Sequence, residues 1–263
     1  MSNKGFVSLV GAGPGDADLM TVKAVRLLQQ ADVVVYDRLV SADILNLIPT
    51  DTSRISVGKE VGKHCVPQEQ INEIIVSLAN AGNKIVRLKG GDPYMFGRGG
   101  EEVLALKKHD IAFEVVPGIT AASGCSSYSG IPLTHRGLSR RVQFITGHFN
   151  DNEPLDLNWQ SIADPDSTLV IYMGLSNLPL AVHSLIDAGL PASTPAAAIQ
   201  NGTTLSQQRV ITTLDQLDDA IRQKKLQAPV MIIIGKVVSL ADELDWFQCS
   251  LEDAYYEKNV IHI

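Results

Sequence analysis

The chain has 263 residues, of which 45% are hydrophobic and 19% charged, as in a globular protein that needs no disulfide. Its 22 basic and 29 acidic residues give a net charge of −7, which argues against a nucleic-acid binder. No apolar run reaches the ~18 residues that cross a bilayer, and three well-separated cysteines form no CxxC pair. We therefore expect a cytoplasmic protein with no membrane partner and no bound metal.

The first half of the chain alternates short apolar runs with segments of helical periodicity. The apolar runs predict buried strands over 6–10, 33–36, 84–88 and 113–116. The helical spacing predicts helices over 18–30, 71–79 and 101–108. Strands that alternate with helices are typical of parallel sheets joined by right-handed crossovers.

The second half of the chain has strand-like runs that lie closer together. These runs cover 169–173, 196–199, 208–212 and 230–234, and they predict a mixed sheet. The pattern changes near residues 135–145. We predict two α/β domains and a polar tail, over 1–137, 138–247 and 248–263.

A glycine-rich turn, Gly-Ala-Gly-Pro-Gly-Asp at 11–16, follows the first predicted strand. It is compatible with a tight turn that binds nothing, with a cationic or uncharged ligand, or with a dinucleotide. Asp37, after the second strand, favours the dinucleotide. Asp16 argues against it, since a carboxylate at the helix start would repel a pyrophosphate, and Pro14 lacks a backbone donor.

Two further loops rich in small residues follow the third and fourth predicted strands. Gly90 and Gly91 follow the third strand, and the segment 116–124 follows the fourth. Loops at the carboxyl ends of parallel strands gather at one sheet edge, where ligands bind. We therefore expect these loops to converge with the first one on a ligand.

Long motifs along nearly the whole chain carry a resemblance to one family. In the first half they read GAGPGD (11–16), YDRLV (36–40), VGKxxGxHCVPQEQIN (57–72), RLKGGDPYMFGRGGEE (87–102), VPGITAASG (116–124) and GIPLTHR (130–136). In the second half they read YMGL (172–175), QNGT (200–203), QRV (208–210) and PVMIIIGKVV (229–238). In this order they resemble the uroporphyrinogen-III C-methyltransferases of the tetrapyrrole methylase family.

The resemblance implies the fold and the reaction. It implies an α/β tetrapyrrole methylase fold with a parallel-rich N-terminal sheet, a mixed C-terminal sheet and the cofactor in the cleft between the two domains. It implies a homodimer that transfers two methyl groups from S-adenosyl-L-methionine to uroporphyrinogen III, through precorrin-1 to precorrin-2, for sirohaem or cobalamin biosynthesis. The by-product is S-adenosyl-L-homocysteine.

The resemblance also assigns residues to roles. It makes Asp37 the proton acceptor and Lys59 the proton donor. The tetrapyrrole side is lined by Arg98, Glu101 and Arg136, and Glu101 either orients Arg98 or accepts a proton itself. Met173 lies between cofactor and substrate. The implied cofactor contacts are Pro14, Gly90, Gly91, Asp92, Met95, Thr120, Ala121, Met173 and Gly202.

Three other functions stay open at this point. A sister methylase would act on a later precorrin or on another acceptor. An NAD-dependent oxidoreductase would use Asp37 as a ribose ligand. A tetrapyrrole-binding protein without catalysis would need only the cationic residues.

Overall fold

A computed structural model describes residues 4–58, 66–147 and 157–247. The chain divides after Ala121 into two compact units. This division falls earlier than the predicted boundary between residues 137 and 138, because the helix that follows it packs within the second unit. Its Ala122 N–H donates a 3.1 Å hydrogen bond to the hydroxyl of Tyr172. The predicted tail at 248–263 lies outside the described residues.

The first unit is built on a five-stranded sheet in which every neighbouring pair is parallel. The strand order is β3-β2-β4-β1-β5, which confirms the predicted parallel-rich sheet. The strands are β1 (Phe6–Gly11), β2 (Val33–Tyr36), β3 (Ser53–Ser56), β4 (Lys84–Lys89) and β5 (Ala112–Val116).

Helices cover both faces of this sheet. They are α1 (Val22–Leu28), α2 (Ala42–Leu45), α3 (Gln68–Asn80) and α4 (Gly99–Lys108). On one face, Leu28 and Ile44 of α1 and α2 share a buried cluster with Leu88 of β4. On the other face, α3 and α4 pack against Leu9 and Ile85. Side chains of a strand alternate between faces, so each central strand contributes to both cores.

The predicted helix over 18–30 is wrong in its first part. A single 3₁₀ turn (Ala17–Leu19) comes first, and α1 begins only at Val22. The Asp16 carboxylate accepts a 2.9 Å hydrogen bond from the N–H of Asp18, and the Thr21 hydroxyl accepts a 3.1 Å bond from Ala24. Two successive caps therefore split the segment.

The second unit contains a mixed five-stranded sheet, as predicted. Its strands are β6 (Arg141–Thr146), β7 (Ser167–Tyr172), β8 (Pro195–Gln200), β9 (Gln208–Thr213) and β10 (Val230–Ile234). The order is β6-β7-β10-β8-β9, and only β6 and β7 pair in parallel. Its helices are α5 (Ala121–Tyr128), α6 (Trp159–Ile162), α7 (Leu178–Asp187) and α8 (Leu217–Lys224).

The core of the second unit lies between this sheet and three of its helices. Leu178 and Leu185 of α7 and Leu217 of α8 share a buried cluster with Ile171 and Ile232 of the central strands. Ile162 of α6 completes the cluster. Across the described ranges, no helix is both long and apolar enough to span a membrane.

Candidate active site

Three loops meet at the carboxyl edge of the first sheet, where β4, β1 and β5 are neighbours. The loops after β1 and β4 are hydrogen-bonded to each other through Gly13 and Gly91, whose N–H and C=O groups exchange bonds of 3.1 and 2.7 Å. The loop after β5 joins them, since the N–H of Gly118 donates a 3.0 Å bond to Asp92 Oδ2. The structure thus brings the three small-residue loops together, as expected.

Glycine is required where these loops cross. A Cβ built on Gly118 would lie 2.3 Å from the carbonyl oxygen of Gly91, and one built on Gly11 would lie 2.5 Å from the Gly118 nitrogen. Gly13 and Gly91 also hold positive φ angles of 79° and 67°. Bare backbone at such a crossing allows a ligand to approach the main chain closely.

The remaining predicted cofactor residues of the first unit belong to the same loops. Pro14 lies in the loop after β1, Gly90 directly follows β4, and Met95 is six residues beyond its end. Gly91 adjoins Thr120 and Ala121, because a Cβ on it would lie 3.9 Å from Thr120 Cα and 3.7 Å from the Ala121 nitrogen.

Asp92 orders the crossing from within. Besides the bond from Gly118, its Oδ1 accepts hydrogen bonds of 2.8 and 3.2 Å from the N–H groups of Tyr94 and Met95. Both carboxylate oxygens are therefore engaged with backbone donors of two loops. The structure assigns Asp92 a loop-ordering role, and its contact with the cofactor stays a prediction.

Met173 and Gly202 lie in the second unit, at one edge of its sheet. They follow β7 and β8, which both run antiparallel to β10 and so end on the same side. Met173 is half exposed and has a φ angle of 52°. The residues on each side of Gly202, Asn201 and Thr203, have positive φ angles of 50° and 69°. Such strained backbone in non-glycine residues tends to cluster at functional sites.

Gly202 packs directly under α5. A Cβ on Gly202 would lie 2.3 Å from Cys125 Sγ, so this position has room only for hydrogen. Burial raises the pKa of the Cys125 thiol to about 12, which keeps it protonated and unreactive at neutral pH. Cys125 is therefore a packing residue.

Arg98 and Glu101 form an exposed ion pair at the start of α4. Arg98 donates from Nε and Nη2 to the two carboxylate oxygens at 2.8 and 2.7 Å. This hydrogen bonding lowers the pKa of Glu101 and raises that of Arg98. Of the two roles expected for Glu101, the geometry favours the orientation of Arg98 and argues against proton acceptance.

Arg136 lies in an exposed turn of the second unit. The backbone groups of His135 and Ser139 on either side exchange hydrogen bonds of 3.1 and 3.0 Å, which closes the turn. A shallow cavity beside it is lined by Arg136, His135 and Arg140 among others. This turn presents cationic groups to solvent. Lys59, the predicted proton donor, lies outside the described residues.

Asp37 belongs to a buried cluster of charges that the sequence analysis missed. Register pairs Val35 of β2 with Arg87 of β4, so Asp37, two residues later, lies on the same face as Lys89. This is the face covered by α3 and α4, and α4 contributes Glu102. Arg87, Lys89 and Glu102 are only 1–3% exposed.

Glu102 holds this cluster together. Its Oε1 accepts hydrogen bonds from Arg87 Nε at 3.2 Å, from Lys89 Nζ at 2.9 Å and from Gln68 Nε2 at 3.2 Å. Its Oε2 is buried without a hydrogen-bond partner among the described residues. An unpaired buried oxygen costs roughly 1–3 kcal/mol.

Asp37 meets the two cations from the edge of the sheet. Arg87 Nη2 donates to its Oδ1 at 2.5 Å, and Lys89 Nζ lies 3.8 Å from its Oδ2. The Asp37 side chain is 30% exposed, so the carboxylate faces the cluster on one side and the sheet edge on the other. This pairing argues against Asp37 as a ribose ligand, since Arg87 engages its Oδ1 and Lys89 lies near its Oδ2.

The sequence matches a family model. Residues 7–218 match that of the tetrapyrrole (corrin/porphyrin) methylases. The chain belongs to this family. The resemblance identified in the sequence is thereby confirmed, together with the two-sheet α/β fold, whereas the cofactor position between the domains stays a prediction.

Longer proteins contain a region that is similar to most of this chain. A sirohaem synthase from Pseudomonas aeruginosa (strain LESB58) is 54% identical over 251 residues, which cover 95% of this chain and 54% of that protein. The chain thus spans about half the length of the curated relatives it matches.

Solved structures of methyltransferases are also similar. The uroporphyrin-III C-methyltransferase from Thermus thermophilus complexed with S-adenosylhomocysteine is 37% identical, with a TM-score of 0.76, over 89% of this chain and 93% of that chain. A cobalt precorrin-4 methyltransferase is 29% identical, with a TM-score of 0.78, over 89% of this chain and 95% of that one.

Gly118→Ala tests the loop crossing. The new methyl group would collide with the carbonyl of Gly91, so we expect a loss of about 1–3 kcal/mol in the free energy of unfolding. The control is Gly100→Ala in α4, where nothing lies within 4 Å of the added carbon. Urea denaturation measures both. Equal stabilities for the two variants would contradict the crossing.

Gly202→Ala tests the packing under α5. We expect about 1–3 kcal/mol of destabilisation, because the methyl group would overlap Cys125 Sγ. Cys125→Ala/Gly202→Ala removes the sulfur and should recover most of the loss, with Cys125→Ala alone as the reference. A double variant no more stable than Gly202→Ala in thermal denaturation would show that the contact is not the cause.

Proposed function

We propose that this chain transfers two methyl groups from S-adenosyl-L-methionine to uroporphyrinogen III, through precorrin-1 to precorrin-2. The reaction would serve sirohaem or cobalamin biosynthesis. The observation that carries the proposal is the 37% identity, over 89% of the chain, to a uroporphyrin-III C-methyltransferase complexed with S-adenosylhomocysteine. The family membership of residues 7–218 supports it.

The crossed glycine loops fit a donor without phosphate groups. S-adenosyl-L-methionine supplies an electrophilic methyl group on a sulfonium. Pro14 removes one donor that a phosphate could use, whereas Gly90 and Gly91 leave main chain uncovered at the edge. We propose that these loops hold the cofactor through Pro14, Gly90, Gly91, Asp92, Met95, Thr120 and Ala121, with Met173 and Gly202 from the second unit.

Arginine side chains are suited to the substrate, which carries eight carboxylates. Guanidinium groups bind carboxylates in a fixed two-pronged geometry. Arg98 is 58% exposed and already oriented by Glu101, which restricts its side chain before substrate arrives. Arg136 offers a second exposed guanidinium. We propose that both bind substrate carboxylates.

The reaction requires little bond chemistry from the protein beyond alignment and proton removal. Each C-methylation must be followed by loss of a proton from the macrocycle if a neutral product is to form. For the methyl transfer itself, a well-aligned donor and acceptor can reach effective molarities of about 10⁵ M or more. We propose that Asp37 accepts this proton at the sheet edge and that Lys59 acts as proton donor. The ion pair with Arg87 keeps the Asp37 carboxylate in place.

We further propose that the protein works in the cytoplasm as a homodimer. The family resemblance supports the dimer. The cysteine pattern, with no CxxC pair, supports a reducing compartment.

Anaerobic incubation with uroporphyrinogen III and S-adenosyl-L-methionine, followed by mass spectrometry, tests the function. We expect the substrate to gain two methyl units. Binding of the tetrapyrrole without any gain of methyl units would contradict the proposed methyltransferase activity. Methylation only of a later precorrin would favour a sister methylase.

Asp37→Asn is the matched variant for this assay. Loss of the base should lower kcat by about 10²–10⁴-fold, with the Kd for S-adenosylhomocysteine near that of the unmodified chain. Asp187→Asn, an exposed carboxylate on α7, is the control and should change neither quantity. A large loss of S-adenosylhomocysteine affinity in Asp37→Asn, measured by calorimetry, would make Asp37 a cofactor ligand instead.

A further inference from the structure

We propose that Arg87, Lys89 and Glu102 form a positioning unit that sets the charge state and orientation of Asp37. The inference rests on the proposed function, in which Asp37 accepts a proton. The three residues act through Asp37, so they are positioning residues.

The cluster has a connectivity that favours this role. Arg87 contacts both carboxylates, with Nη2 at 2.5 Å from Asp37 Oδ1 and at 3.1 Å from Glu102 Oε1. Lys89 does the same, with Nζ at 3.8 Å from Asp37 and at 2.9 Å from Glu102. Each cation is therefore shared between the partly exposed carboxylate of Asp37 and the buried one of Glu102.

The charges balance only because Glu102 is present. Two cations face two carboxylates, which gives a formal sum of zero. Without Glu102, the single carboxylate of Asp37 would face two buried cations and would hold its ionised form too strongly to serve as a base. Glu102 thus shares both cations with Asp37 and balances one of their charges.

Stability alone does not account for the cluster. Charges are costly to desolvate, and apolar residues of similar volume often serve a fold equally well. Glu102 also retains a buried oxygen, Oε2, without a partner among the described residues. These destabilising groups lie next to Asp37, the member of the cluster that reaches the sheet edge. Their position therefore favours a role that involves Asp37.

The charged groups that face Asp37 in the described ranges come from two elements. Strand β4 contributes Arg87 and Lys89, and helix α4 contributes Glu102, while α3 contributes only the neutral amide of Gln68 to the cluster. These contacts predict the direction in which each substitution shifts the protonation of Asp37. Glu102→Gln adds a net positive charge and favours the Asp37 carboxylate, whereas Lys89→Met removes one and favours the protonated form.

Carbon-13 NMR of the full chain labelled at aspartate Cγ measures this directly, with Asp37→Asn to assign the signal. We expect Glu102→Gln to lower the midpoint of the Asp37 titration by about one pH unit, and Lys89→Met to raise it by about as much. The double variant, which is charge-balanced again, should return close to the unmodified chain. Lys107→Met, an exposed lysine on α4, is the control and should leave the midpoint in place.

The acid limb of the kcat profile for methyl transfer should follow the same shifts, while KM for S-adenosyl-L-methionine stays constant. Gln68→Lys provides a second route, because this half-buried position can take a cation without emptying the core, and it should lower the midpoint as Glu102→Gln does. It decides the question if a core variant does not fold.

The outcomes separate the two proposals. Midpoints that move in opposite directions in Glu102→Gln and Lys89→Met support the positioning unit. Absence of methyl transfer by the unmodified chain would contradict only the proposed function and would leave this support in place. Methyl transfer with midpoints that do not move, or that move in the same direction in both variants, overturns the positioning unit. In that case the cluster is structural.

Discussion

The candidate site depends on a contact that only glycine permits, the crossing of three loops at the carboxyl edge of the first sheet. A Cβ on Gly11 or on Gly118 would overlap main chain of the neighbouring loops, and Gly91 holds a positive φ angle of 67°. Asp92 fixes the crossing by accepting backbone hydrogen bonds from two loops. The parallel sheet places the loops side by side, and the absence of side chains lets them meet.

The same sheet edge joins these loops to a buried set of charges. Strand alternation directs Arg87 and Lys89 under α4, where Glu102 neutralises part of their charge, and Asp37 extends the set to the surface. In the proposed function, the loops position the cationic methyl donor, and the charge cluster holds the Asp37 carboxylate at the end of the adjacent strand β2. Positioning and electrostatics therefore come from neighbouring strands of one sheet.

Much of this fold follows from sequence pattern, because buried parallel strands read as apolar runs. Strands β3 and β6 have no such runs: β3, Ser-Arg-Ile-Ser, lies at the sheet edge and needs no apolar face. The 3₁₀ turn is separated from α1 because Asp16 caps the turn and Thr21 caps the helix. Hydrophobic periodicity does not predict such caps.

Only part of the candidate site can be predicted from sequence pattern. The convergence of the glycine loops follows from topology, and the residue roles come only from family resemblance. The charge cluster had a signal, since Arg87 and Lys89 are charged at alternate positions within an otherwise apolar strand. Such a pair, on one buried face, requires carboxylates opposite it. Their identity, Glu102 and Asp37, depends on tertiary packing.

Hydrogen–deuterium exchange with S-adenosylhomocysteine, and separately with NAD, measures most directly whether the crossed loops are the donor-binding surface. Protection by S-adenosylhomocysteine is predicted in peptides that cover 11–15, 89–95 and 116–121, with none from NAD. Protection of these peptides by NAD, or none by S-adenosylhomocysteine, would contradict it.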